Sequence, residues 1–162
     1  MYRIAVIIAT FGFSGFAWAQ TLGEVTNLPI PRFVSMKASE GYARRGPSQG
    51  HRIDWVFQHK NTPLRITGEY EHWRRVEDVD GQGGWMHFRL LSGVRTVLFM
   101  GEDTILRRRG YDDSQIVARV EKGVVGNLKE CTIDWCKIRL DNVRGWVKKE
   151  VIWGVDATEI RD

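Results

Sequence analysis

Cysteine is scarce in this chain, with two among 162 residues. That is too few for the dense disulfide framework of a small secreted scaffold and only half of a tetrahedral zinc set. The four histidines, His51, His59, His72 and His87, all lie well upstream of Cys131 and Cys136. No metal and no cofactor is therefore expected. The chain also lacks Gly-x-Ser-x-Gly, His-Glu-x-x-His, the phosphate-cradling Gly-x-x-x-x-Gly-Lys and the Cys-His pattern of envelope transpeptidases. Asp112-Asp113 and Asp78-x-Asp80 are candidate carboxylate pairs. Both fall in expected turns, where Asp serves local hydrogen bonding, so an enzyme is not expected. Beyond residue 19 no apolar run approaches the roughly 20 residues of a membrane-spanning helix. Charge of one sign is also in short supply: the net charge is +4, too mild an excess to mark a nucleic-acid binder.

Residues 1–19 read as a secretory signal peptide. Arg3 supplies the positive start, Ile4 to Phe16 the apolar stretch, and Ala17-Trp18-Ala19 the small-x-small cleavage site ahead of Gln20. Thirteen apolar residues are too short to span a bilayer. The mature protein is expected in the periplasm or outside the cell, a setting that permits a disulfide and further disfavours nucleic acid as a partner.

Helical periodicity is also absent. Short alternating or β-branched runs occur instead at Leu64-Arg65-Ile66, Trp73 to Glu77, Val94 to Phe99, Ile116 to Val120, Trp135 to Leu140 and Gly145 to Ile152. Turn signals at Gly46-Pro47, Asp80-Gly81, Gly83-Gly84, Asp112-Asp113, Lys122-Gly123 and Asp141-Asn142 punctuate them. Such spacing predicts an all-β sandwich or small barrels. Gln20 to Phe33 reads as an extended leader.

An internal repeat organises the chain. Arg45-Gly46-Pro47, Trp73-Arg74-Arg75-Val76 and Gly84-Trp85-Met86 recur as Arg109-Gly110-Tyr111, Trp135-Cys136-Lys137-Ile138 and Gly145-Trp146-Val147. Each unit has about sixty residues, a size at which a domain folds only marginally, so two units packed together are expected. Trp73 and Val76 are three apart and face opposite sides of a regular strand, as do Trp135 and Ile138. If Val76 and Ile138 fill a core, the tryptophans lie outside.

The order of these motifs resembles bacterial-type Src-homology-3 (SH3) domains. Gly41 to Pro47 is similar to the opening strand and turn of that family, and Pro63 to Ile66 with Glu69-Tyr70 to its next strand. Trp73 to Val76, Asp80-Gly81 and Gly84 to His87 follow in the family's order. Leu90 to Thr96 and Ile152 to Val155 resemble a tandem, exported subtype. The second copy departs by carrying Tyr111 in place of the proline. The resemblance implies an all-β fold of two tandem SH3-like barrels packed together after the signal peptide. The segments are residues 1–19 (signal), 20–34 (leader), 35–92 (first barrel) and 93–162 (second barrel with a short tail). It also implies a non-catalytic binding or targeting module of the cell envelope. The expected ligand is peptidoglycan or its peptides, or alternatively a protein whose extended segment docks on the barrel. The acidic loop that accompanies proline-rich recognition is missing, so that use is not carried over.

Tyr42, Arg44, Trp73 and Trp85 are the candidate ligand-binding residues, an aromatic and basic group on the first copy. Trp55 and Trp153 are expected to be mainly structural. Cys131 and Cys136 can bond only if Thr132 to Trp135 turns the chain back, where the repeat places a hairpin. That alignment sets Glu69 opposite Cys131 and Arg74 opposite Cys136, suggesting an ion pair in one copy where the other has a disulfide. A structural staple is favoured over a redox pair, and the sequence leaves open whether the bond forms.

Overall fold

The structure is a computed structural model that describes residues 21–162. The expected signal peptide and its cleavage site lie outside the described residues. Among the described residues, fourteen strands form two antiparallel sheets of seven. The first holds β1 (Arg32–Met36), β2 (Gly41–Arg44), β3 (Ile53–Phe57), β4 (Pro63–Tyr70), β5 (Trp73–Glu77), β6 (Gly83–His87) and β7 (Leu91–Ser92). The second holds β8 (Thr96–Phe99), β9 (Asp103–Arg107), β10 (Ile116–Glu121), β11 (Val125–Cys131), β12 (Trp135–Leu140), β13 (Val143–Lys148) and β14 (Ile152–Trp153). Their orders, β3-β2-β6-β5-β4-β1-β7 and β10-β9-β13-β12-β11-β8-β14, correspond strand for strand. Single-turn 3-10 segments at Phe88–Leu90 and Lys149–Val151 also match. The repeat read from the motifs is thus a repeat of topology.

Each sheet wraps its own core. Val34, Met36, Ala43, Phe57, Leu64, Ile66, Val76 and Met86 converge from six strands of the first sheet. Val97, Phe99, Leu106, Val120, Leu128, Ile138, Val147 and Ile152 converge in the second, together with Cys131 and Cys136. Side chains from nearly every strand can meet at one centre only because each sheet curls into a barrel. Volumes are traded between the copies. Ala43 and Phe57 in the first correspond to Leu106 and Val120 in the second. Met36 and Leu64 correspond to Phe99 and Gly126, where a Cβ would fall 2.4 Å from Cγ2 of Ile138. Total volume is roughly kept while its placement moves, the kind of change cores tolerate best.

The barrels pack directly on each other. Phe33 meets Trp153 edge-on with ring centroids 5.1 Å apart. The Arg95 guanidinium lies 5.6 Å over the Phe33 ring and is held by Glu159 at 2.9 Å. Ser35 Oγ donates to the Val94 carbonyl at 2.7 Å, and Thr96 Oγ1 to the Asn61 carbonyl at 2.8 Å. Trp153 is structural, as expected.

Four expectations need correction. Gly83-Gly84 is not a turn but opens β6, because both residues lie against neighbouring backbone. A Cβ on Gly83 would fall 2.0 Å from the Val76 carbonyl oxygen, and one on Gly84 2.5 Å from that of Arg44. The run Gly145 to Ile152 is interrupted by a 3-10 turn at Lys149–Val151. The stretch before Phe33 is not simply extended, since Leu22 bridges Pro29 and β1 begins at Arg32. Trp55 sits on β3, at one end of the sheet order, and is 40% exposed rather than a core filler.

Candidate functional site

Strand parity sorts the outer face of the first barrel. On β5, Arg74 and Val76 point inward and are buried, while Trp73, Arg75 and Glu77 point outward. On β6, Met86 is buried and Trp85 and His87 stand outside. On β2, Gly41 and Ala43 are buried and Tyr42 and Arg44 face out, Tyr42 with 43% exposure.

Register then decides which outward residues meet. Trp85 is the Cα partner of Arg44 on one side and of Arg75 on the other. The indole is therefore flanked by two arginines, and its Cη2 reaches over the open position of Gly68. Gly84 makes this possible, since any larger residue would push β2 away from β6. Arg44 and Trp85 line one cleft of about 340 Å³, together with Arg75 and the paired Arg45 and Asp54.

The other two expected residues stand beside this cleft rather than in it. Tyr42 precedes Arg44 by two residues on the same face of β2 and pairs in register with Val56. Trp73 packs edge-on against His87, with ring centroids 5.7 Å apart, in an aromatic group completed by His72 and Phe88. Arg75 is the residue that the sequence reading left out of the site. Parity pointed to it, because only one of Arg74 and Arg75 faces outward.

Electrostatics favours an anion here. Arg44 donates to the His51 carbonyl at 2.8 Å, which orients the guanidinium without neutralising it. Among the described residues neither Arg44 nor Arg75 has a carboxylate partner within salt-bridge distance, whereas the rim charges are matched. Arg45 and Arg52 hold Asp54, and their hydrogen bonds lower its pKa. Arg65 holds Glu77. The Glu40 carboxylate, by hydrogen bond and by charge, raises the Tyr42 phenol above its ordinary value. Burial, together with the charges of Arg89, His72 and Arg74, lowers the pKa of His87. Its Nδ1 accepts from the Arg89 backbone N–H at 3.3 Å.

The paired carboxylates serve turns and ion pairs. Asp78 Oδ1 accepts from the backbone N–H of Asp80 at 3.0 Å and of Gln82 at 2.8 Å. Asp112 is held by Lys148 at 2.8 Å. Among the described residues no group of three or more His, Cys, Asp or Glu side chains is placed to hold a metal ion.

The hairpin alignment is realised. Glu69 is the register partner of Arg74, and Cys131 of Cys136. Arg74 Nε lies 3.5 Å from Glu69 Oε1, both side chains being buried. Cys131 and Cys136 form a disulfide with Cα atoms 4.1 Å apart. Glu69 also accepts from the backbone N–H groups of Val25 and Thr26, the Thr26 hydroxyl and Arg32, at 2.7 to 3.0 Å. Burial disfavours its charged form, but these donors prevail and hold the carboxyl down to about 2.

The family model described as "Bacterial SH3 domain" matches residues 37–93 and 101–154, more than half of the chain. No curated protein matches the chain. Among solved structures, NlpC2 from Trichomonas vaginalis is similar over 78% of this chain and 50% of its own, with 10% identity and a TM-score of 0.36. NlpC1 from the same organism covers 82% of this chain and 49% of its own, again with 10% identity and a TM-score of 0.36. The chain spans about half the length of each, and likeness at this level carries no functional weight.

Proposed function

The chain belongs to the bacterial SH3 domain family, and we propose that it is a non-catalytic binding module of the bacterial cell envelope that holds peptidoglycan through its peptides. Domains of this family are binding modules. The observation that carries the finer reading is the Trp85 indole set between two arginines that, among the described residues, have no carboxylate partner. Arg44 and Arg75 receive a stem-peptide carboxylate, because a planar guanidinium binds carboxylate in a two-pronged fashion. Trp85 covers the apolar part of the same residue, and Tyr42 and Trp73 extend the surface on either side. Export by the signal peptide puts the protein where this polymer is found. Recovery of a mature protein beginning at Gln20 from the periplasm checks that step. Cosedimentation with purified murein sacculi checks the binding. Arg44→Gln is expected to lower retention at least tenfold, and equal retention of the variant and the wild type overturns the site.

A second reading is supported by β3, which ends the sheet order and leaves Ile53, Trp55 and Val56 exposed. An unpaired strand edge of this kind can dock an extended segment of an envelope protein. Crosslinking in intact cells separates the two: one recurrent protein adduct favours the edge, whereas muropeptide adducts favour the cleft. Among the described residues no helix is long and apolar enough to cross a membrane.

A further inference from the structure

The second barrel repeats the arrangement around Trp85. Trp146 is the register partner of Arg107 on one side and of Lys137 on the other. Arg107 is tethered as Arg44 is, donating to the carbonyl of the residue seven positions on, Ser114, at 2.8 Å. Gly145 precedes Trp146 as Gly84 precedes Trp85, and a Cβ there would fall 3.0 Å from the Arg107 carbonyl oxygen. The Lys137 ammonium lies 5.9 Å from the centre of the Trp146 ring.

The copies differ in the second cation, Arg75 in one and Lys137 in the other, and in the residue that faces it. Lys137 is paired in register with Glu130, whose carboxylate it meets at 2.7 Å. In the first barrel the partner of Arg75 is Gly68, which has no side chain. The second barrel therefore holds its own carboxylate where the first has no side chain. A Cβ at Gly68 would make only ordinary contacts, 3.5 Å to Arg75 Cβ and 3.7 Å to Trp85 Cη2. Among the described residues no carboxylate lies within salt-bridge distance of Arg75, and β4 sets no side chain opposite it.

We propose that each barrel carries one copy of the same carboxylate-binding site, Arg44–Trp85–Arg75 open in the first and Arg107–Trp146–Lys137 capped by Glu130 in the second. The ligand class is a chain of carboxylates, gripped first by the open site and then, once Glu130 is displaced, by the second. Displacement is cheap because Lys137 and Glu130 are only partly buried, and exposed ion pairs contribute little. A ligand long enough to reach both sites gains from the second by effective concentration. The proposal extends the reading of the first cleft as a receiver of stem-peptide carboxylates.

The test uses the mature protein, an oligoglutamate probe and purified sacculi, with the indole N–H signals of Trp85 and Trp146 followed by NMR. In the wild type the Trp85 signal is expected to move at at least tenfold lower oligoglutamate concentration than that of Trp146. Glu130→Gln brings the Trp146 response to at least threefold lower concentration and leaves the Trp85 response in place. Gly68→Glu, which installs the cap in the first barrel, moves the Trp85 response at least threefold the other way. Arg44→Gln with Arg75→Gln abolishes the first response, and Arg44→Lys with Arg75→Lys restores part of it. In each free variant, unchanged indole signals of the tryptophans remote from the substitution, Trp153 among them, verify the fold. Identical titrations for wild type, Glu130→Gln and Gly68→Glu overturn the proposal, as does silence of both indoles. Two-site oligoglutamate binding without sacculus binding upholds the duplicated site and removes the wall reading. Sacculus binding that none of these substitutions alters upholds the wall reading and removes the duplicated site.

Discussion

The β4–β5 hairpin of the first barrel and the β11–β12 hairpin of the second hold the same position by opposite chemistry. In the first, buried Glu69 faces buried Arg74, and the leader folds down to supply Val25 and Thr26 as hydrogen-bond donors. In the second, the disulfide fills the position, and the C-terminal tail meets Cys131 there through backbone alone. Arg161 N–H donates to the Cys131 carbonyl at 2.9 Å, and Cys131 N–H donates back at 2.7 Å. A buried carboxylate needs several donors to stay charged, so it draws a specific segment to itself. A disulfide has no charge to satisfy and asks nothing of the segment beside it. A terminal segment docks at the same place in both barrels, but only the leader is bound by the side chain at that hairpin position.

The largest effect is expected from breaking the ion pair. Glu69→Ala leaves Arg74 and Arg32 without their carboxylate and releases the leader, at a cost of about 3–5 kcal/mol. Denaturant unfolding measures the loss, and limited proteolysis between Thr21 and Pro31 shows whether it comes with undocking. Acid probes the same group without mutation. Its carboxyl is lowered from 4.5 to about 2 in the folded state. Its contribution, on the order of 3 kcal/mol, is thus complete above pH 4.5 and disappears as pH falls through 2. Amide signals of the first barrel should weaken before those of the second on acidification, and simultaneous loss would contradict the contrast.

Next in size is the glycine before each tryptophan. Gly84→Ala is expected to destabilise by about 1–3 kcal/mol, through the 2.5 Å approach to the Arg44 carbonyl. Gly145→Ala should cost less, because its backbone contact is 3.0 Å and its nearer neighbour is the movable Val117 side chain. Melting temperatures of the two variants rank them.

Removing the disulfide with Cys131→Ala and Cys136→Ala is expected to cost about 2 kcal/mol or less, since the closed loop is short. Reduction should lower the melting temperature of the second barrel and leave the leader protected. The smallest effect belongs to His87. Its pKa lies below the ordinary value, so its contribution is complete above about 6.5 and is lost as pH falls through the lowered folded value. The counterpart Lys148 stays charged throughout, so His87→Lys should flatten the pH dependence of the first barrel's stability between about 5 and 7.

Legibility followed range. The strands Trp73 to Glu77 and Trp135 to Leu140 were readable because alternation is local, and the hairpin at Thr132 to Trp135 followed from the repeat. Strand β1 was hidden in the leader because Pro29 and Pro31 dominate the pattern there and its partners, β4 and β7, lie far along the chain. Gly83-Gly84 looked like a turn because glycine marks turns and close backbone approaches alike, and only the position of β2 separates the two. Of the site, Arg44 and Trp85 were named without sight of each other. Parity puts Arg75 outside with Trp73, but that it meets Trp85 depends on the register of β5 with β6, which alternation does not reveal.

The sequence by itself determined the all-β class, the duplication, the parity of each strand and the place of Cys131 and Cys136 on one hairpin, while the bond between them was left to the structure. These follow from periodicity and from spacing within a few residues. Only the tertiary structure decided that Trp85 stands between Arg44 and Arg75, that Glu69 recruits the leader, and that Glu130 occupies the place left open by Gly68. Each of these depends on the register between strands or on a segment folding back. Register is set by the packing of a whole barrel around its core, which no short stretch of residues encodes.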